Sequence, residues 1–394
     1  MRDTTIAVVS ALSPSPTTLA EYGLHFLTSL AGKPGIRVVA LVEDRHDIAY
    51  PDIPGVEIRK AWRFNAPTNP LRIARELRRA GADVAIFNAH FTSFGSGKVA
   101  ATLGLLAPLC SRIVGVPSIT LLHNIVETVD LGKAGFGGRP LVERVLRALG
   151  SVVTWLVLRS NLVTTTMPRY VEILSSKYRA ANVALTPHGA FDVPEAPKTP
   201  PVRPVILTFG KFGTYKRVET LIEAFEMLGR DDVELVIAGT DSPNTPGYLA
   251  EVEAGVTDPT IRFMGYVPEE EVEAAFRGAT LTVFPYTATT GSSGVLHQAG
   301  AYGCPPVLPR IGDLEDLIAD EGYTGSFFEP NDSADLARAI CRVLDDPALR
   351  EEIALHNYRA ACGLPLDQVA DWYLIHAGRL AHGSPRALIG EGAA

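Results

Sequence analysis

The sequence predicts an α/β protein made of two doubly wound, parallel-sheet domains. Three observations carry this. Short, almost continuously apolar runs alternate with longer runs whose apolar residues recur at helical spacing, as buried parallel strands and their covering helices require. The alternation breaks once, at Phe191–Pro204, where five prolines fall within fourteen residues, and then resumes. The length of 394 residues exceeds what one ordinary core holds. The expected division is a first domain over 1–190, an extended linker over 191–204, a second domain over 205–365, and a last helix with a tail over 366–394 that packs back toward the first domain.

In chain order, Ile6–Val9 reads as a strand, followed by a Ser-Pro-Ser-Pro-Thr-Thr loop at 13–18 and a helix from Leu19 to Leu30. Val38–Val42 is a second strand and Val56–Ile58 a short third. Leu71–Ala80 is a helix that exposes Arg72, Arg75, Arg78 and Arg79. Val84–Asn88 is a strand with His90 just beyond it. Val99–Leu122, interrupted by Pro108, Arg112 and Pro117, reads as buried helix followed by a strand that ends in His123-Asn124. Leu141–Leu158 is a long apolar helix, and Leu162–Thr165 and Val183–Thr186 complete the first set. After the linker, strands are expected at Val205–Phe209, Leu235–Ala238, Ile261–Met264, Leu281–Phe284 and Pro306–Leu308, with helices between them and a final helix over Leu366–Leu380.

Composition narrows the function. The chain is 46% hydrophobic and 20% charged with a net charge of −8, so it carries no nucleic-acid footprint. Its four cysteines have no paired spacing, which suits a reducing compartment and argues against a zinc site. The start lacks a signal-peptide pattern, and no charge-free apolar run reaches the ~18 residues a membrane span needs. No Asp-x-Asp pair is present, no Gly-x-Gly-x-x-Gly follows a predicted strand, and neither a Gly-Lys-Ser/Thr phosphate loop nor a Gly-x-Ser-x-Gly elbow occurs. A metal clamp on a diphosphate, a dinucleotide cofactor, an ATPase and a serine hydrolase are all disfavoured.

Two stretches carry candidate chemistry. Gly210-Lys211-Phe212-Gly213-Thr214-Tyr215-Lys216-Arg217 falls between the strand at 205–209 and a helix faced by Val218, Leu221, Ile222, Phe225 and Leu228. A turn there lies at the carboxyl end of a strand, where open α/β sheets bind ligands. Its glycines admit backbone N–H groups to an anion and its lysines add charge, so a diphosphate cradle and a solvated basic loop are the two readings. The second stretch, Thr290-Gly291-Ser292-Ser293-Gly294-Val295, precedes a helix from Ser293 to Gly303. Its N–H groups suit a phosphate; the alternative is plain N-capping by Ser292 or Ser293. His123, at a strand end, reads as a crevice residue or a cap. His90 is similar, His188-Gly189 reads as a hinge, and Glu269–Glu271 after Pro268 as an acidic helix start.

Together these two stretches resemble the donor-site motifs of family 4 glycosyltransferases, the retaining group with the GT-B fold. The residues that carry the likeness are Gly210-Lys211-Phe212 with Lys216-Arg217; Thr290-Gly291-Ser292-Ser293-Gly294 leading to Gln298-Ala299 and Gly303; Pro306-Val307; and Gly312-Asp313-Leu314-Glu315. Pro187-His188-Gly189, Ile237-Ala238-Gly239 and Phe263–Val267 add to it. Two positions depart from the family's glutamate pair: Thr290 stands at the donor-sugar position and Gln298 at the ribose position. An amide has one acceptor oxygen where a carboxylate has two, and losing one such charged hydrogen bond costs about 1.5–3 kcal/mol if nothing replaces it.

The resemblance implies two Rossmann-like domains facing a central cleft. It implies sugar transfer from a nucleotide-diphosphate donor to a glycan, glycolipid or small-molecule acceptor, with retention and without metal or other cofactor. Gly210, Lys211, Lys216, Ser292, Ser293, Gly294 and Val295 would hold the diphosphate; His123, Thr290 and Gly291 the donor sugar; Gln298, Gly239, Tyr266 and Val267 the ribose and base. His123, Lys211 and Lys216 would act in catalysis, and Ser13, Thr17 and Thr18 would form an acceptor-side loop. Thr290 cannot serve as a carboxylate nucleophile, so a front-face attack guided by the leaving phosphate is expected. The implied setting is cytoplasmic, with a peripheral contact at the inner membrane face and no nucleic-acid partner. The alternative is an inactive sugar-nucleotide-binding protein of the same fold with a regulatory role.

Overall fold

The computed structural model describes residues 3–15, 19–91, 93–125, 127, 140–191, 193, 201–213, 215–242, 245–288 and 293–382. The chain divides into two compact units, one running to His188 and resuming at Leu366, the other spanning Gly189–Pro365.

In the first unit a parallel sheet has the order β3-β2-β1-β4-β5-β6-β7. Its strands are β1 (Thr4–Val9), β2 (Ile36–Glu43), β3 (Val56–Trp62), β4 (Val84–Ala89), β5 (Ser118–Leu122), β6 (Leu162–Thr165) and β7 (Val183–Leu185). The helices are α1 (Ala20–Leu30), α2 (Asn69–Ala80), α3 (Lys98–Gly104), α4 (Ala107–Ile113), α5 (Pro140–Val157) and α6 (Pro168–Tyr178). Every residue of β4 and β5 is buried, because helices cover both faces and the strands must be apolar throughout. The stretch read as one helix after Val99 is two, broken at Leu105-Leu106. Arg72 is half-buried rather than exposed. It donates to Asp44 and to the Ala61 carbonyl, which fastens α2 to the sheet edge.

The second unit repeats the plan with six strands in the order β10-β9-β8-β11-β12-β13. They are β8 (Val205–Phe212), β9 (Glu234–Asp241), β10 (Ile261–Gly265), β11 (Leu281–Val283), β12 (Pro306–Pro309) and β13 (Ser326–Phe328). Its helices are α7 (Glu219–Leu228), α8 (Tyr248–Glu253), α9 (Glu269–Arg277), α10 (Gly294–Ala301), α11 (Gly312–Asp320), α12 (Ser333–Asp345) and α13 (Pro347–Gly363). β13 has only three residues, Ser-Phe-Phe, too short to show a strand pattern in sequence. The last helix, α14 (Leu366–His382), lies in the first unit. Tyr373 is held there against Phe26 and by a 2.7 Å hydrogen bond with Thr164, and Lys33 bridges Asp367 and Asp371 at 2.8 Å. Within the second unit the Ala190 N–H donates to the Leu364 carbonyl, tying its first residues to its last. The proline-rich stretch lies largely outside the described residues.

Both sheets reverse direction at their first strand: β1 has β2 on one side and β4 on the other, and β8 has β9 and β11. Such a reversal leaves a crevice beyond the strand ends, which is where doubly wound sheets bind ligands. The fold thus marks one site in each unit before any side chain is considered. No described helix is long and apolar enough to cross a membrane.

Candidate functional site

In the second unit the crevice lies past β8 and β11. Gly210, Lys211 and Phe212 belong to β8, paired with Gly239, Thr240 and Asp241 of β9, and are not part of a turn as the sequence pattern suggested. Two glycines permit that extension. Gly210 has φ 135° and Gly239 φ 141°, and a Cβ on Gly239 would stand 1.8 Å from the Gly210 oxygen. Gly239, assigned above to the nucleotide, is therefore required first by this close backbone approach. The turn itself is Gly213–Lys216, closed by reciprocal backbone bonds of 2.8 and 3.0 Å. It is fastened to the segment after β11: Arg217 N–H donates to the Pro285 oxygen and Thr287 N–H to the Tyr215 oxygen.

This fastening sets Lys216. Its ammonium lies 4.5 Å from the Tyr286 ring centroid and 3.7 Å from where a Gly210 Cβ would be; the Val295 side chain comes within 3.9 Å of that same point. The two cradles read from the sequence therefore meet at Lys216, Gly210 and the first turn of α10. Ser293 is the N-cap of α10 in extended conformation, φ −106°, and its side chain makes no capping bond. The intrahelical ladder begins with Leu296 N–H donating to the Ser293 carbonyl, so the N–H groups of Gly294 and Val295 precede it and point out of the helix start. Lys211 is exposed on β8. Gln298 is buried in the second turn of α10, Val267 is buried in the core and Tyr266 is exposed. Thr290, Gly291 and Ser292 lie outside the described residues, as do Thr17 and Thr18 of the first unit.

A pair that the sequence did not flag sits behind α10. His297 is fully buried; its Nε2 is 2.9 Å from a Glu321 carboxylate oxygen and its Nδ1 2.9 Å from the Ser293 carbonyl. Burial alone would lower its pKa, but the carboxylate and the carbonyl together raise it above the ordinary value.

The crevice of the first unit is built from different chemistry. His123 Nε2 is 2.7 Å from Asn88 Oδ1, Asn88 Nδ2 donates to Ser10 Oγ at 2.9 Å, and Ser10 donates to the Ala11 carbonyl at 2.6 Å. That chain fixes a direction. The carbonyl only accepts, so Ser10 accepts from the amide, and Asn88 Oδ1 accepts from His123. Nε2 then carries the proton and Nδ1 is left as an acceptor. Beside it, Asn124 Oδ1 accepts from Phe91 N–H, so its amide donates to His90 Nε2 at 2.7 Å. Burial pushes His123 down to about 3 and His90 to about 4, so both are neutral at physiological pH. The Tyr22 ring packs edge-on against both His123 and His188, and burial pushes its hydroxyl pKa well up. His123 is thus neither a cap nor a loose crevice group but a clamped neutral base. Ser13 lies in the loop after β1, its N–H donating to the Ala20 carbonyl. Asn88, Ser10, Asn124 and Tyr22 were not singled out from sequence; only Asn88, two residues before His90 at a strand end, carried a local hint. Among the described residues, no three His, Cys, Asp or Glu groups of a single unit converge as metal ligands do.

Residues 203–346 match the family described as Glycosyl transferases group 1. The second unit is a glycosyltransferase domain. The protein is accordingly an enzyme of the glycosyltransferase class. Among characterised proteins it is similar to the 2-deoxystreptamine glucosyltransferase of Streptomyces kanamyceticus, 28% identical over 66% of this chain and 72% of that one. It is also similar to a D-inositol 3-phosphate glycosyltransferase of Corynebacterium efficiens, 35% identical over 37% of this chain; there the match spans only 36% of the relative. Two solved structures share the fold along almost the whole length. Sucrose-phosphate synthase of Thermosynechococcus elongatus superposes with a TM-score of 0.73 at 17% identity, covering 96% of this chain and 99% of that one. HepE of Anabaena, solved with UDP and glucose, gives 0.69 at 17% identity, covering 95% and 99%. The two parallel-sheet units are those of the GT-B fold.

Proposed function

We propose that the protein is a retaining, family 4-type glycosyltransferase that moves a sugar from a nucleotide-diphosphate donor to a hydroxyl acceptor, without metal. The observation that carries this reading is the convergence of Lys216, Gly210 and the start of α10 at the carboxyl end of β8. Rupture of the glycosidic bond leaves negative charge on the departing diphosphate. Lys216, with Lys211 and the N–H groups of Ser293, Gly294 and Val295, supplies fixed positive charge for it, which is how such a leaving group is stabilised. A structural neighbour that holds UDP and glucose supports the donor class.

His123 serves the sugar. Neutral, and donating through Nε2 to Asn88, it offers Nδ1 to a donor-sugar hydroxyl and keeps cationic charge away from an oxocarbenium-like centre. With Thr290 in the place of the family's carboxylate, retention proceeds by front-face attack, the acceptor hydroxyl passing its proton to the leaving phosphate oxygen. Gln298 offers the ribose an amide in place of a carboxylate, and Tyr266 offers the base an exposed ring. The acceptor is a polyhydroxy small molecule, glycan or glycolipid taken up on the first unit, on the side of the Ser13–Thr18 loop; a peripheral membrane contact belongs to the glycolipid case.

The test is a panel of UDP-, GDP-, ADP- and dTDP-sugars with and without EDTA, on wild type and Lys216→Ala, read by thermal shift and by release of free sugar. One diphosphate nucleotide stabilises the wild type, EDTA leaves the effect intact, and Lys216→Ala reduces it. Loss of the effect in EDTA would overturn metal independence. Binding with no turnover on any acceptor supports the second reading, an inactive nucleotide-sugar-binding protein, which Thr290 and Gln298 favour.

A further inference from the structure

We infer that His297 is a positioning residue for the diphosphate end of the donor site, held as an imidazolium between the Ser293 carbonyl and the Glu321 carboxylate. The inference rests on the donor-site reading above. Its basis is the hydrogen-bond inventory. A peptide carbonyl can only accept, so Nδ1 must carry a proton to bond Ser293. An ionised carboxylate can only accept, so with Glu321 ionised Nε2 carries the second proton. Both ring nitrogens are thereby protonated, and the ring bears a full positive charge inside the unit, where the Glu321 side chain is itself only 6% exposed.

The location gives this charge a use. His297 is the fourth residue of α10, in the turn whose N–H groups face the diphosphate. A cation there opposes the helix dipole, and a buried ion pair costs desolvation that an apolar side chain of similar volume would avoid. Packing alone therefore favours an apolar residue at this position. An anion arriving at the helix start reverses the balance, because it meets the dipole, Lys216 and the imidazolium together. The second bond acts on geometry. The Ser293 carbonyl already receives Leu296 N–H at 3.0 Å and His297 N–H at 3.4 Å, and the His297 ring adds the shortest contact at 2.9 Å, holding the peptide that leads into the Gly294 and Val295 N–H groups. Behind the ring the backbone leaves no slack: Tyr323 stacks edge-on at 5.3 Å, and a Cβ on Gly300 would lie 2.4 Å from the Tyr323 ring. The charged and titratable groups around the ring are Glu321 and Tyr323 from the segment ending α11, with Cys362 of α13 acting on Tyr323.

The experiment measures binding of UDP, GDP and ADP by calorimetry at pH 6, 7.5 and 9 on wild type, His297→Asn and Glu321→Gln. Asn keeps a donor for Ser293 and cannot be charged; Gln keeps a polar partner for the ring and removes the negative charge. For the nucleotide that binds, wild-type affinity falls as the pH rises and the imidazolium deprotonates. Both variants bind about tenfold more weakly at pH 6, the loss of one charge-assisted contact, and their pH dependence flattens. A merely structural His297 would lower the melting temperature of the variants and leave the wild-type pH profile of binding in place; that result overturns the inference. Histidine ¹⁵N NMR on the wild type decides the same question without a variant, should either fail to fold. At pH 7 both His297 nitrogens show the protonated signature, and one unprotonated nitrogen overturns the proposal. If the wild type binds none of the three nucleotides, the donor-site reading itself falls, and this inference with it.

Discussion

At the carboxyl ends of β1, β4 and β5 the groups are Ser10, Asn88, His90, His123 and Asn124, all neutral; Ser10, Asn88 and His123 form one hydrogen-bonded chain of fixed direction, and His90 and Asn124 a second pair. At the carboxyl ends of β8 and β11 the groups are Lys211, Lys216, the start of α10 and, behind it, a protonated His297. The two units share a strand order and a switch point, so the backbone does not distinguish these sites. Charge does. A sheet plan supplies a crevice, and on the proposed reading the residues at a handful of strand ends decide whether that crevice takes a diphosphate or a set of hydroxyls. The contrast also explains why two buried histidines in one protein titrate in opposite directions. His123 faces an amide and sinks under desolvation; His297 faces a carboxylate and rises against it.

The largest expected effect comes from removing the charge on the cationic side. Lys216→Ala should lower turnover by about 10²–10³, the range for loss of one preorganised group facing developing charge, with a smaller loss in ground-state nucleotide affinity. Steady-state transfer or donor hydrolysis checks it. A change in KM alone, with kcat intact, would show that Lys216 binds the diphosphate without favouring the transition state.

Gly239→Ala attacks the scaffold of the same side. A Cβ there would lie 1.8 Å from the Gly210 oxygen at φ 141°, so β8 and β9 would have to part where Lys211 begins. The expected cost is about 2–4 kcal/mol in denaturant unfolding, in the range of strained backbone and overpacking together. A neutral result would show that the end of β8 is soft and that Gly239 acts through the ligand.

Much of this was legible in the sequence, and the exceptions share a cause. Continuous apolar strands, the break at Phe191–Pro204 and the basic glycine stretch all announce themselves locally. The strand character of Gly210–Phe212 does not, because it comes from pairing with Gly239–Asp241, almost thirty positions away. The tautomer of His123 depends on Asn88 and Ser10, and the charge on His297 on Glu321, 24 positions on. Positions of candidate residues could be read from pattern; their protonation states could not, since those are set by partners the pattern does not pair.

Asn88→Ala tests the neutral side without touching the cationic one. Without Asn88 Oδ1, His123 loses the acceptor that fixes its tautomer, and Nδ1 is no longer held as an acceptor. Affinity for the free nucleoside diphosphate should stay within twofold, while kcat/KM for the donor sugar falls about tenfold, the scale of one hydrogen bond to the substrate. Equal losses in both would mean that the two crevices do not divide the donor as proposed.

The gentlest probe is pH, and it should pull the two units apart. His90 and His123 have folded pKa values of about 4 and about 3, below the ordinary 6.5. The unfolded chain therefore binds protons that the folded one refuses. Their contribution to stability is complete above pH 6.5 and drains away as the pH falls toward 4, by about 1.4 kcal/mol per pH unit for each histidine. His297 has the opposite sign. Its folded pKa lies above the ordinary value, so its contribution is complete below pH 6.5 and is lost as the pH climbs through the raised value. Acid should therefore loosen the first unit and base the second, each reported by hydrogen exchange at the amides of β4–β5 and of α10. The first unit weakening on the alkaline side instead would mean that its histidines are charged, and the division of chemistry between the two crevices would have to be redrawn.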